Sequence, residues 1–253
     1  MNKGLSVVLI IICAIVFGVS AYKLITYYGA DRAAENEFAQ LLPDEIDGVD
    51  VSGNNWEWSA YELMLPYYEG LREANGDMVG WLRIPGTRIS YPVMQTPKSP
   101  EFYLDRTFKK EYSASGSLFV NHICNVDLPS DVVTIYGHRM KTGAMFGSLG
   151  DYLKPDFLEE HEKIIFDTFT GRGEYRVYCL FSLSVDGADT FDYYNYNQFR
   201  DEEAFDSFMK QVRALANIET TSYTPVYGDK LLLLSTCEYT HENGRLVLVA
   251  VRE

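Results

Sequence analysis

Residues 231–239, LLLLSTCEY, place four consecutive leucines directly before a polar segment that contains Cys237. A strand that is apolar on both faces is typical of the middle of a sheet, where other parts of the protein cover both faces. The stretch therefore predicts a central, buried strand with Cys237 at its end. The rest of the fold has to supply the neighbours of this strand and cover its two faces.

Most of the chain after residue 79 has a sequence pattern typical of β-strands. From residue 79 onward, short apolar runs are cut by Gly, Pro and Asn, and such runs predict strands. The predicted strands cover 81–84, 89–93, 117–120, 132–136, 164–167, 175–183, 231–235 and 245–251. Eight short strands favour a closed β-barrel, because closure removes the open edges of the sheet. The sequence therefore predicts a mainly β fold.

Two helices are predicted beside the barrel. In 59–74 apolar residues recur every three or four positions, which indicates an amphipathic helix that Pro66 should kink or restart. A second apolar face runs through 197–217, with acidic residues near its N-terminal end, where the helix dipole favours them. This helix is inserted immediately before the penultimate strand.

Residues 5–22, LSVVLIIICAIVFGVSAY, carry no charge and would span roughly 27 Å as a helix, close to the hydrocarbon thickness of a bilayer. We predict a transmembrane anchor over 1–28, a stalk or loosely docked helix over 29–55 and a folded domain over 56–253. A cleaved signal peptide is the alternative, because residues 19–21 are small. Retention is favoured because the apolar core exceeds the usual 7 to 15 residues of a signal peptide.

The charges that flank the anchor do not fix its orientation. Lys3 lies on one side and Lys23 and Arg32 on the other, so the positive-inside comparison is nearly balanced. An N-terminal span followed by one long hydrophilic segment most often exports that segment. We therefore predict a single-pass protein of the cell membrane whose C-terminal domain is extracellular.

The composition excludes several classes of protein. Hydrophobic residues at 47% and charged residues at 23% are typical of a globular chain and not of a disordered or collagen-like one. With 22 Lys and Arg against 36 Asp and Glu, the net charge of −14 repels phosphate backbones, so no nucleic-acid partner is predicted. There is no glycine-rich phosphate loop, CxxC pair or HExxH helix, and we predict neither a cofactor nor a metal site.

The cysteines direct attention to thiol chemistry. Outside the anchor they are Cys124, Cys179 and Cys237, an odd number that leaves at least one thiol unpaired. Cys124 and Cys179 lie within apolar strand patterns and are interpreted as core residues. Cys237 lies at a strand terminus among polar residues, where a catalytic and a structural role both remain open.

Two further residues could act with Cys237. His138 follows one predicted strand and Arg245 begins the last one, so both belong to strand ends. A thiolate attacks acyl carbon, an imidazole can protonate a leaving amine, and a guanidinium can hold an oxyanion. Spacing does not decide between His138 and the other three histidines, and Arg245 could equally form a surface salt bridge.

Three motifs together resemble a class B sortase: LSTC at 234–237 followed by Arg245, IYGHRM at 135–140, and NGDMVGWLRIPGTRISYPVMQ at 75–95. The resemblance covers about residues 56–253. The chain departs from the usual TLxTC of the family at Leu233, where Thr is common. That position belongs to the strand and not to the chemistry, so activity is still expected.

The resemblance implies an eight-stranded sortase-type β-barrel with N-terminal helices and a helix before the penultimate strand. It assigns the catalytic roles to His138, Cys237 and Arg245. It also implies a membrane-anchored cysteine transpeptidase of Gram-positive bacteria that uses neither metal nor cofactor. The enzyme would cleave a C-terminal sorting signal, NPxT-like or SPxTG-like, of exported proteins and join the threonine carboxyl to a peptidoglycan amine through a thioacyl enzyme.

Four residues are predicted to form the walls of the substrate groove, namely Leu118, Thr236, Tyr193 and Tyr194. Core packing is the alternative role for each of them. Three other functions also stay open: a cysteine peptidase that only hydrolyses, a sortase that polymerises pilins, and a membrane-tethered binding barrel with an inert thiol.

Overall fold

A computed structural model of the chain describes residues 3–43, 45–46, 49–51, 61–128, 130–184, 191–220, 223–238 and 244–253. His241 and the side chains of Cys237 and Glu238 lie outside this description. The helices are α1 (Lys3–Ala39), α2 (Tyr61–Ala74), α3 (Pro155–Glu160) and α4 (Glu202–Leu215), with short 3-10 helices at Phe102–Asp105, Gly147–Leu153 and Tyr193–Asn195. The strands are β1 (Glu45–Ile46), β2 (Val49–Asp50), β3 (Met78–Arg83), β4 (Ser90–Met94), β5 (Leu118–Val120), β6 (Val132–Tyr136), β7 (Lys163–Thr168), β8 (Gly171–Ser184), β9 (Ala216–Glu219), β10 (Leu231–Glu238) and β11 (Gly244–Arg252).

Eight of these strands close into a barrel, which confirms the predicted fold. Their order is β11-β10-β6-β5-β4-β3-β7-β8, and β8 pairs with β11 to complete the ring. The short strand β9 adds to β8 beside this closure. Because closure pairs both long edges of the sheet, the barrel strands are protected from edge-to-edge association.

The leucine run lies in the centre of the barrel wall, as predicted. Strand β10 pairs with β11 on one side and, in parallel, with β6 on the other. Leu232 and Leu234 pack into the core inside the barrel, whereas Leu231 and Leu233 pack into a second core outside it. All four side chains are at most 1% exposed, because each face of the strand meets its own apolar layer.

Helix α4 supplies the outer layer. Its predicted range was 197–217, and the helix occupies Glu202–Leu215. It begins where the Asp201 carboxylate accepts a hydrogen bond from the Ala204 N–H at 2.9 Å, a standard N-cap. Phe205 and Phe208 fill the outer core, and residues 216–219 leave the helix to pair with β8.

Helix α2 covers another part of the barrel. It continues through Pro66, so the predicted restart does not occur. Tyr68 stacks on Trp81 of β3 with ring centroids 5.8 Å apart, and the Tyr61 hydroxyl donates to the Thr168 carbonyl of β7 at 2.7 Å. These contacts hold the helix on both sides of the proline, which offsets the single backbone hydrogen bond that proline removes.

Helix α1 joins the N-terminal region to the barrel. Within the described residues it contains a stretch, Leu9–Ala39, that is long and apolar enough to cross a membrane. Its last turns pack against the barrel domain, since Asp31, Ala34 and Phe38 are each 3% exposed. Residues 29–39, predicted as a stalk or loosely docked helix, are therefore a helix with a buried face.

Candidate active site

A cavity of about 570 Å³ opens where β6, β10 and β11 meet at one end of the barrel. This volume is in the range of sites that bind small molecules or peptide segments. The cavity is lined by Pro100, Glu101, Leu104, Phe119, Asn121, His122, Ile123, Tyr136, Gly137, His138, Tyr193, Tyr194, Asn195, Ser235, Thr236 and Arg245. It combines apolar side chains with polar groups from several separate segments.

The strand register places the segments that carry the three predicted catalytic positions next to one another. Cys237 of β10 is the antiparallel partner of Arg245 of β11. Ser235 of β10 is the parallel partner of Tyr136, and the Gly137 N–H donates to the Ser235 carbonyl at 3.1 Å. His138 follows Gly137 in the chain, and both His138 and Arg245 line the cavity. The backbone alone therefore places the cysteine between the histidine and arginine segments.

His138 is held by the backbone of another segment. Its Nε2 lies 2.8 Å from the Leu104 carbonyl oxygen, in the 3-10 helix that lines the same cavity. Because a carbonyl only accepts hydrogen bonds, this contact requires the proton on Nε2. Nδ1 has no hydrogen-bond partner among the described residues and is the ring atom available to other groups.

Arg245 lies half-buried at the edge of the cavity, where Nη1 donates to the Gly244 carbonyl at 3.1 Å. No carboxylate of the described part of the chain pairs with it, in contrast to the salt bridge that a strand-flanking arginine often forms. A hydrogen bond to Asp192 raises the pKa of Tyr194, and the positive charge of Arg245 opposes this shift. The Arg245 guanidinium is therefore close to Tyr194, which also lines the cavity.

Three of the four predicted groove residues line the cavity, namely Thr236, Tyr193 and Tyr194. The Tyr193 hydroxyl and Ser235 Oγ are 2.7 Å apart, which ties the groove wall to the strand that carries Cys237. Thr236 Oγ1 is buried and has no partner among the described residues. Leu118 is fully buried in the barrel core and does not line the cavity, a placement that favours its alternative role in packing.

Sequence reasoning missed Asn121 and Leu104. Asn121 Nδ2 donates to the Tyr194 carbonyl at 2.7 Å and to the Tyr136 hydroxyl at 3.1 Å, so one buried amide connects two walls of the cavity. An asparagine directly after an apolar strand was the available signal for it. Leu104 acts through its carbonyl oxygen, which every residue type carries, and therefore leaves no signal in the sequence.

Among the other described cysteines and histidines, packing accounts for Cys124, Cys179 and His161. Cys124 and Cys179 are buried, and burial raises the pKa of both thiols. A buried thiol of raised pKa is a poor nucleophile. The His161 ring stacks on Phe157 with centroids 4.0 Å apart, whereas His122 lines the cavity.

The family model described as Sortase domain matches residues 82–253. Among curated proteins, the chain is 31% identical over 219 residues to sortase B of Listeria monocytogenes, covering 85% of each protein. It is 28% identical over 254 residues to sortase B of Staphylococcus aureus, covering 99% of this chain and 97% of that protein.

A solved structure of sortase B complexed with triglycine superposes with a TM-score of 0.68 at 30% identity, covering 75% of this chain and 86% of that one. The family match alone includes every strand from β4 to β11 together with α4. The similarity therefore includes the elements that carry residues 138, 237 and 245.

Proposed function

Because the chain belongs to the sortase family of cysteine transpeptidases, we propose that it cleaves a C-terminal sorting signal of exported proteins and transfers their threonine carboxyl to a peptidoglycan amine. The observation that supports this proposal is the strand order: Cys237 is the register partner of Arg245, and β10 lies between β11 and β6, the strand that precedes His138. His138 and Arg245 both line one cavity. A volume of about 570 Å³ accommodates several residues of an extended peptide.

In the first step, the thiolate of Cys237 attacks the carbonyl carbon of the signal threonine. The negative charge that develops on the carbonyl oxygen is stabilised by the Arg245 guanidinium. His138 gives a proton to the departing amine, the amide bond breaks, and a thioester to Cys237 remains. Arg245 suits this role because no described carboxylate neutralises its charge.

In the second step, the acceptor amine attacks the thioester carbon while His138 removes a proton from its nitrogen. The new amide bond forms and the Cys237 thiolate leaves. One amide is exchanged for another, so no nucleotide has to supply energy. A solved sortase B has been complexed with triglycine, which supports a primary amine at the end of a peptide as the acceptor.

We further propose that α1 is retained as a single-pass anchor with the barrel domain outside the cell, and that the signal is NPxT-like or SPxTG-like. The length and apolar character of the helix support anchoring. Mass spectrometry of the protein purified from membranes tests retention, since cleavage near residue 21 would remove the N-terminal apolar residues. Protease digestion of intact cells tests the side on which the domain lies.

The transpeptidase proposal is tested with the full chain in detergent micelles, NPxT and SPxTG peptides, and triglycine as acceptor. Wild-type protein should release the tail of the signal and form the triglycine amide, and Cys237→Ala should abolish both products. Cys179→Ala is the control and should remain active, because that thiol lies in the outer core.

Other products would identify the alternative functions. If the cleaved peptide always ends in a free carboxylic acid, even when an amine is added, the protein is a hydrolytic peptidase. If the peptide is transferred only to a pilin lysine, the protein is a polymerising sortase. Peptide binding without cleavage would indicate an inert binding barrel. Full activity of Cys237→Ala would contradict the proposed nucleophile.

A further inference from the structure

Helix α1 makes a specific polar contact with the barrel in addition to its apolar packing. The Tyr91 hydroxyl of β4 donates to the Glu35 carboxylate of α1, with oxygen distances of 2.9 and 3.1 Å. Phe38, one turn later on the helix, meets the Tyr91 ring edge-on with centroids 5.6 Å apart. Two side chains of α1 therefore hold the same buried tyrosine.

The Tyr91 hydroxyl is also an acceptor. The backbone N–H of Met145 donates to it at 3.2 Å. A hydroxyl with an acceptor on one side and a donor on the other has a defined hydrogen position. Burial raises the pKa of Tyr91 and the neighbouring Glu35 charge raises it further, so the hydroxyl keeps its proton and continues to donate.

Met145 belongs to the loop that carries His138. Its φ of 51° lies in the left-handed region, which is unfavourable for a residue with a side chain and persists only where surrounding contacts fix it. The adjacent Phe146 N–H donates to the His138 carbonyl at 2.9 Å, and Arg139 forms an isolated β-bridge with Met145. The backbone of residues 145 and 146 is thus paired with the backbone of residues 138 and 139.

We propose that Glu35 of α1 is a positioning residue for His138, acting through the Tyr91 hydroxyl and the backbone of residues 145 and 146. The path is continuous: carboxylate to hydroxyl, hydroxyl to the Met145 N–H, and the next N–H to the His138 carbonyl. Helix α1 then orders the active-site loop in addition to holding the domain. This inference rests on the proposed function in one respect, the catalytic role of His138.

The first test compares kcat and KM of the full chain in micelles. Tyr91→Phe and Glu35→Ala should lower kcat about tenfold with KM within about twofold, because the histidine is misplaced while the groove is intact. Glu35→Gln should restore at least half of kcat, since its amide oxygen still accepts from Tyr91. Two controls should match wild type: Asn36→Ala, on the same helix but outside the hydrogen-bonded path, and Tyr61→Phe, which removes a hydrogen bond from α2 to β7.

The second test is independent of activity. Hydrogen exchange measured by mass spectrometry should be faster over residues 138–147 in Tyr91→Phe and Glu35→Ala than in wild type, and unchanged in both controls. Unaltered exchange there, or kcat values equal to wild type in an active enzyme, would overturn the proposal. If wild-type protein forms no amide product, the proposed function fails while the exchange experiment still decides whether Glu35 orders the loop. If Tyr91→Phe does not fold, Glu35→Ala and its Gln counterpart carry both measurements.

Discussion

Gly137 separates strand β6 from His138, and the packing around it leaves no room for a side chain. A Cβ at this position would lie 2.4 Å from Leu118 Cδ2 and 2.8 Å from Phe146 Cδ2, two fully buried side chains. Because the Phe146 N–H holds the His138 carbonyl, a shift of Phe146 would move the histidine.

We therefore expect Gly137→Ala to lose about 1–3 kcal/mol of folding free energy and to lower kcat/KM about tenfold or more. Urea denaturation and peptide transfer assays measure the two effects. Gly76→Ala is the matched control, because nothing lies within 4 Å of the added Cβ there. Equal stability and activity of the two variants would show that the loop accommodates the methyl group.

Some residues of the site act through their side chains and could be predicted from the sequence, whereas others act through their backbone and could not. Side-chain chemistry pointed to Cys237, His138 and Arg245, and the family resemblance chose His138 among four histidines. The position of the Leu104 carbonyl and the positive φ of Met145 are properties of the folded backbone. The identities of these two residues therefore did not predict them. Thr236, a predicted groove residue, lines the cavity, whereas Leu118 on β5 belongs to the barrel core.

At the scale of elements, Asp131 ties the start of β6 to two other segments. Its carboxylate accepts from Lys230 Nζ, before β10, at 2.6 Å and from the Phe199 N–H, before α4, at 2.8 Å. Burial alone would raise the pKa of Asp131, but these hydrogen bonds lower it below its usual value. A carboxyl whose pKa is depressed by folding stabilises the protein above its unfolded pKa and loses this contribution as the pH falls through the folded pKa.

We therefore expect the wild-type protein to lose more stability than Asp131→Asn when the pH falls from about 6 to about 3, the range that brackets the unfolded pKa of an aspartate. Urea unfolding at a series of pH values measures the difference. Asp156→Asn is the control, because Asp156 is exposed and has no described ion pair. Parallel stability curves for wild type and Asp131→Asn would contradict the role of this carboxylate.

The sequence predicted the helices and strands whose hydrophobic pattern is sufficient to specify the type of element. The leucine run of β10 and the apolar face of α4 are such patterns, and both elements formed as expected. Strand β9 was not predicted, because Ala216–Glu219 is a strand only by pairing with the available edge of β8. The continuous helix at Pro66 likewise depends on contacts with β3 and β7 that a local pattern does not contain.

At the scale of the whole molecule, α1 is both the candidate membrane span and part of the domain surface. Phe38, 3% exposed, contributes to the barrel-side core and contacts Tyr91. The barrel therefore meets the helix through a packed interface. Such a junction fixes the position and orientation of the cavity relative to residues 9–28.

If this junction is part of the folded domain, Phe38→Ala should destabilise the barrel by about 3 kcal/mol, because removing a buried phenylalanine leaves a cavity beside Tyr91. Urea unfolding of the full chain in micelles, followed by fluorescence of the buried Trp81 and the other tryptophans, measures the change. Phe17→Ala is the control, since that side chain is 76% exposed on the same helix. Equal unfolding midpoints for the two variants would mean that α1 and the barrel unfold independently and that the helix is not part of the folded domain.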